Sequence, residues 1–133
     1  MSTDIMSSLC YQNIKMRVLI VDSSIPIIER LEERISDMGY ITAVHRAVSY
    51  EEAKKLFKEN KHQTVLLDMD LPGNESLKLL REIKKTARET RVIILSIYMD
   101  NYIRELCKSL GADFFFDKYY DFEKISGLLA PHS

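Results

Sequence analysis

Two cysteines and four glycines in 133 residues are few, and each shortage excludes something. Cys10 and Cys107 lack the paired spacing of a zinc site, and no secretory signal precedes them, so a reducing, cytoplasmic setting is expected. The glycines form no phosphate-cradling loop. No apolar run approaches the ~20 residues that span a bilayer, and no membrane partner is expected. Nor is either charge in excess: nineteen basic against twenty acidic side chains leave a formal net charge of −1. No overall field draws the chain to nucleic acid or to an anionic membrane. Internal linkers, repeats and low-complexity segments are missing as well.

What is present is an ordinary globular balance, 46% apolar and 29% charged, in a chain long enough to bury roughly two-thirds of its unfolded surface. Residues 1–15 are polar and aperiodic and read as a leader or extra N-terminal segment. Residues 16–133 read as one domain. From residue 17 onward, short apolar runs alternate with amphipathic stretches, the pattern of repeated βα units feeding a parallel sheet. The runs are 17–21, 41–46, 64–67, 91–95 and 113–116. Three of them, Val18 to Val21, Val65 to Leu67 and Val92 to Leu95, are continuous, as strands covered by helices on both faces should be. The second run is broken by polar residues and suits a sheet edge.

Between the runs, Ile28, Leu31, Ile35 and Met38 recur at helical spacing, as do Tyr50, Ala53 and Phe57, and then Leu77, Leu80 and Ile83. Ile103, Leu106 and Leu110 continue the pattern, with Cys107 on the same face as a core residue, and Phe122, Ile125 and Leu129 close it. Ser49 with Glu52 forms a capping box, Asn74, Asp100 and Asp121 are candidate N-caps, and Gly39 and Gly111 are candidate helix stops. Five strands and five helices result, with no output domain attached.

In an open α/β sheet, ligands bind beyond the carboxyl ends of the strands, near the point where strand order reverses. Asp22 ends the first run, Asp68 the third and Ser96 the fourth, and Lys118 lies just past the fifth. Singly, each is as readily a loop residue or a cap. Together they supply acid, acid, hydroxyl and ammonium to one sheet edge. A carboxylate can attack phosphorus, a second can help hold a divalent cation, and hydroxyl and ammonium groups can bind the transferred oxygens.

Leu19-Ile20-Val21-Asp22, the run from Leu66 through Asp68 to Gly73, Ile93-Ile94-Leu95-Ser96, and Gly111-Ala112-Asp113 with Lys118 together resemble the receiver domain of bacterial two-component response regulators. The resemblance covers about residues 16–130. It implies a flavodoxin-like (βα)5 three-layer α/β sandwich with a parallel sheet of order 2-1-3-4-5. Position by position, it implies Asp68 as acceptor of phosphoryl from a phosphohistidine, and Asp22 with Asp68 in an acidic Mg²⁺ pocket. Asp70 would lend that pocket a main-chain carbonyl. Ser96 is implied as the switch hydroxyl, Lys118 as the phosphate contact and Phe115 as the aromatic that moves with them. A stand-alone receiver of this kind is a phosphoacceptor and not a conventional enzyme. Its implied partners are a sensor histidine kinase or phosphotransfer protein, a downstream protein target, and a second copy through the fourth and fifth βα units.

Four positions depart from the family pattern. Ser23 stands where a second acid is usual, and a neutral hydroxyl is a poorer Mg²⁺ ligand than a carboxylate. Ile97 replaces a small residue and would crowd the phosphoryl pocket. Tyr98, close behind it, would hinder a hydrolytic water and slow self-dephosphorylation. Ser76 replaces a common glycine. Tyr119 replaces a proline that often follows a cis bond, and a non-proline cis bond costs about 2.5–4 kcal/mol; the bond is then trans, or surrounding contacts offset that cost.

Two rival readings remain. A pseudo-receiver would keep the fold and bind partners without phosphorylation, using the aromatics Tyr98, Tyr102, Phe115, Tyr119, Tyr120 and Phe122. Asp68-Met69-Asp70 also resembles the nucleophile motif of haloacid-dehalogenase-type phosphatases, although there the other acids lie downstream, whereas Asp22 lies upstream. His45, His62 and His132 lack ligand spacing and read as surface or loop residues.

Overall fold

The computed structural model describes residues 15–129. Strands β1 (Met16–Val21), β2 (Ile41–Ala47), β3 (Thr64–Asp68), β4 (Arg91–Ser96) and β5 (Phe114–Asp117) alternate with helices α1 (Ile25–Ile35), α2 (Tyr50–Asn60), α3 (Glu75–Thr86), α4 (Asn101–Ser109) and α5 (Ile125–Leu129). The strands form one parallel sheet of order β2-β1-β3-β4-β5. This is the flavodoxin-like sandwich expected, with the broken second run at an edge.

Strand periodicity sorts the core into two layers. Leu19, Val21, Val65, Leu67, Val92 and Ile94 face Ala53, Phe57, Leu79, Leu80, Ile83 and Cys107 of α2, α3 and α4. Val18, Ile20, Leu66, Ile93, Leu95 and Phe116 face Ile28, Leu31 and Ile35 of α1 and Ile125 and Leu129 of α5. β3 and β4 are buried along their whole length, as continuous apolar runs under two helix layers must be. Each fully buried Leu or Ile contributes about 1.5–3 kcal/mol by leaving water.

Several local expectations shift. Helix α1 stops at Ile35, ahead of Met38 and Gly39: Ser36 makes the last i→i−4 bond, to Glu32, and Met38 then bonds back only three residues, to Ile35, at 3.2 Å. β5 starts at Phe114, although the Asp113 N–H donates to the Val92 carbonyl at 2.9 Å; the Asp113 carboxylate accepts the Val92 N–H at 2.8 Å and pairs with Lys84 at 2.9 Å. Ser49 and Asp100 cap as expected, accepting from the N–H groups of Glu52 and Ile103. Asn74 does not: it sits at φ 59 and makes no side-chain cap. Gly73, at φ 67, joins it in a left-handed turn before α3, a conformation glycine adopts without strain. Asp121 likewise caps no helix with its side chain. Gly111, at φ 102, ends α4 as expected. Cys10 and His132, and nearly all of the expected leader, lie outside the described residues.

Candidate functional site

Strand register assembles the site. Val21 pairs with Leu67, so the next residues, Asp22 and Asp68, leave adjacent central strands side by side. Asp68 pairs with Leu95 and Ser96 with Asp117, which brings Ser96 and Lys118 to the same sheet edge one step further on. Side-chain alternation then divides the group. Asp22, Asp68 and Lys118 follow the parity of the α1/α5 face, and Ser96 and Phe115 that of the α3/α4 face.

The first three meet. Lys118 Nζ lies 2.7 Å from Asp22 Oδ2 and 3.0 Å from Asp68 Oδ1, and all three residues are buried. Each carboxylate also accepts a main-chain N–H two residues on, Asp22 from Ser24 at 2.8 Å and Asp68 from Asp70 at 2.9 Å. These Asx turns steer the chain away from the strand ends. Burial pushes the Asp22 carboxyl above the usual carboxylate range despite the pull of Lys118 and the Ser24 N–H, with Asp68 adding repulsion. Burial also pulls the Lys118 ammonium down, but its contacts with Asp22 and Asp68 outweigh that and hold it above its ordinary value. Asp70 is raised by partial burial and by Asp68.

Two carboxylates and one ammonium leave the cluster one negative charge in excess when all are ionised. Asp22 Oδ2 meets the Lys118 ammonium at 2.7 Å and has no other partner among the described residues. Two buried carboxylates sharing one ammonium in a net-negative cluster suit a small hard cation. Among the described residues no three His, Cys, Asp or Glu side chains form a ready cage, so a cation there would retain water, as Mg²⁺ does when two carboxylates hold it. Ser23, beside Asp22, is exposed.

Ser96 is buried, and its hydroxyl donates to the Tyr98 main-chain carbonyl at 2.7 Å. The Lys118 N–H donates to the Ser96 carbonyl at 3.0 Å, which ties the loops after β4 and β5 together. Phe115 is half-buried under the Arg104 guanidinium, 4.6 Å from its ring centre. With Ser96, Ile97, Tyr98 and Met99 it lines a cavity of ≈ 210 Å³ on the α4 side. Ile97 is half-exposed at 50%, and Tyr98, on the rim of the same cavity, is 82% exposed.

Some contributors escaped the sequence reading. Asp117 accepts from the N–H groups of Tyr119 and Tyr120, and Asp121 accepts from the Asp117 N–H, each at 2.8 Å. Together they shape the Lys118 loop without a proline. The Asp-x-x-x-Asp spacing around Lys118 carried that signal. Among the described residues every peptide bond is trans, the Lys118–Tyr119 bond included. Ser76 is also buried and bonded to the acceptor loop.

His62 is neither a surface nor a loose loop residue. It is fully buried, its Nε2 is 2.8 Å from His45 Nδ1, and Phe57 stacks on its ring. Burial, with the neighbouring His45 and Arg17, pushes its pKa down to about 4. This pair lies on the β2 side of the sheet, apart from the acidic cluster.

The geometry agrees with comparison to known proteins. The family model for the response regulator receiver domain matches residues 18–130. Sporulation initiation phosphotransferase F of Bacillus subtilis (strain 168) is 31% identical over 109 residues, covering 82% of this chain and 86% of that protein. The probable C4-dicarboxylate response regulator DctR of the same organism is 28% identical over 116 residues, and those cover 87% of this chain but 51% of DctR, so this chain spans about half of that relative. A CheY-like response regulator receiver domain protein from Methanospirillum hungatei JF-1 superposes with a TM-score of 0.78 at 22% identity, covering 88% of this chain and 91% of that one, and shares its fold. The chain belongs to the response regulator receiver domain family.

Proposed function

We propose that this receiver takes a phosphoryl group onto Asp68 from a phosphohistidine of a sensor histidine kinase or phosphotransfer protein, and signals through a changed docking surface. The observation that carries the proposal is the buried Lys118 ammonium bridging Asp22 and Asp68 at the carboxyl edge of the sheet. An Asp68 oxygen attacks phosphorus, the P–O bond forms, and the P–N bond breaks to return neutral or protonated imidazole to the donor. Asp22, Asp68 and the Asp70 carbonyl would hold Mg²⁺, with Ser23 as a neutral neighbour. Once bound, Mg²⁺ supplies charge neutralisation between the incoming oxygens and the acids. Lys118 contributes a second positive charge from the end of β5 at the same sheet edge. Ile97 sets how much room the phosphoryl group has.

The new dianion competes with the Tyr98 carbonyl for the Ser96 hydroxyl. Because the Ser96 carbonyl also holds the Lys118 N–H, both loops respond, and Phe115 follows beneath them. The shift is limited by the differential contacts made in the two states. The relative named a phosphotransferase supports passing of the phosphoryl group between proteins.

Acetyl phosphate with Mg²⁺ tests the reading. Intact-mass measurement should show one added phosphoryl group on the wild-type chain and none on Asp68→Asn. An unmodified wild type overturns it. A second reading, phosphorylation-independent docking to a protein or to a second copy through the fourth and fifth units, is favoured by the exposure of Tyr98, Tyr102, Tyr119 and Tyr120. It predicts partner affinity that is the same for wild type treated with acetyl phosphate and for Asp68→Asn.

A further inference from the structure

The loop after β3 is held by a side chain that reaches back from the start of α3. Ser76 lies in the first turn of α3 and is 1% exposed. Its hydroxyl donates to the Asp68 main-chain carbonyl at 2.6 Å and accepts the Leu71 N–H at 3.3 Å. A hydroxyl can do both at once, having one hydrogen and two lone pairs. It is no helix cap: both bonds run backward, out of the helix, to the segment between the acceptor carboxylate and Pro72.

Those bonds bracket Asp70. Its N–H is held by Asp68 Oδ1 at 2.9 Å, and the residues on either side of the Met69-Asp70 pair are pinned to one oxygen. The direction of the Asp70 carbonyl is then set by three hydrogen bonds rather than one. Glycine at position 76 offers no such bridge, and the Asp68 carbonyl and Leu71 N–H would need other partners. Resting on the Mg²⁺-dependent reading above, we infer that Ser76 is a positioning residue that aims the Asp70 main-chain carbonyl at the cation. Groups that orient metal ligands typically change affinity by 10- to 100-fold when removed.

The test compares Ser76→Ala and Ser76→Gly with wild type in three measurements. Mg²⁺ titration followed by amide NMR shifts should give a Kd about tenfold weaker in both variants. Phosphorylation by acetyl phosphate should need correspondingly more Mg²⁺ for half-maximal rate yet reach the wild-type rate at saturation. Hydrogen exchange at the Leu71 and Asp70 amides of the metal-free protein should be faster in the variants. A purely structural serine would lower the melting temperature and speed Leu71 exchange, yet leave the Mg²⁺ Kd and the Mg²⁺ requirement of phosphorylation at their wild-type values. Should one variant fail to fold, the other decides. Equal Mg²⁺ Kd values, within twofold, or unchanged exchange at Leu71 overturn the inference. A wild type that takes neither Mg²⁺ nor phosphoryl fails the parent reading instead, and this inference with it.

Discussion

Two polar clusters are buried in this molecule, and they resolve the same problem in opposite ways. In the first, Lys118 lies within 3.0 Å of both Asp22 and Asp68, and those contacts hold its ammonium above its ordinary value against burial. His45 and His62 have no such counter-charge and are 2.8 Å apart, and His62 stays neutral because burial and neighbouring Arg17 disfavour its protonated form. Burial alone therefore does not decide ionisation; the available partner does. The charged cluster keeps an excess negative charge and suits a cation and an anion arriving together. The neutral pair shares one hydrogen bond and leaves the buried His62 Nδ1 without a partner among the described residues.

The largest effects should come from breaking the charged cluster. Asp68→Asn should abolish phosphorylation by acetyl phosphate, and Asp22→Asn should lower its rate at fixed Mg²⁺ by at least about tenfold, both read by intact mass against time. Lys118→Ala leaves two buried carboxylates without their cation. It should lower unfolding free energy at pH 7 by about 3 kcal/mol in urea titration, with partial recovery in millimolar Mg²⁺. No recovery would mean that the cluster does not take the ion.

The neutral pair should respond to acid instead. His62 has a folded pKa of about 4 against an ordinary 6.5. Its contribution is whole above pH 6.5 and is lost as pH falls from there toward 4, to a limit of roughly 3 kcal/mol. His62→Phe, which preserves the stack on Phe57, should flatten melting temperature against pH across that window. Lys118 works in the other direction: its raised pKa adds stability that is present below about pH 10.5 and disappears as pH rises further. The smallest expected change is at Tyr98. Since this residue is 82% exposed, Tyr98→Ala should alter the phosphoryl half-life by less than about twofold, measured by decay of the phosphorylated mass. A large shortening would place the ring over Asp68 in the phosphorylated state.

The comparison also separates what the sequence could reveal from what it could not. Continuous runs such as Val92 to Leu95 announce doubly covered strands, and the acids, hydroxyl and lysine at the run ends follow from strand order once the fold is known. Local chemistry was legible at Ser49 and Asp100, whose cap partners lie three residues on, but not at Asn74 or in the Asp117 to Asp121 loop. It failed where the partner is distant in sequence. His45 and His62 meet across 17 residues, and nothing in their spacing signals it. Asp113 was read into a strand because its bond to Val92 crosses 21 residues. Met38 fits a helical period and yet lies past the helix, since periodicity cannot sense where Ser36 closes the turn. Ser76 was visible as a departure from glycine, but its two bonds depend on how the loop after β3 folds back.

Strand β3, which ends in Asp68, sits in the middle of the sheet, flanked by β1 and β4 and covered on both faces. A group added at its tip would press on a strand paired on both sides and buried along its length, so the scaffold beneath Asp68 has little freedom to yield. Displacement must pass sideways into the outer loops, where Ser96 and Lys118 are joined through a single main-chain bond. Rigidity at the point of attachment thus becomes directionality at the rim, and the same frame can report a small chemical event at one fixed side of its surface.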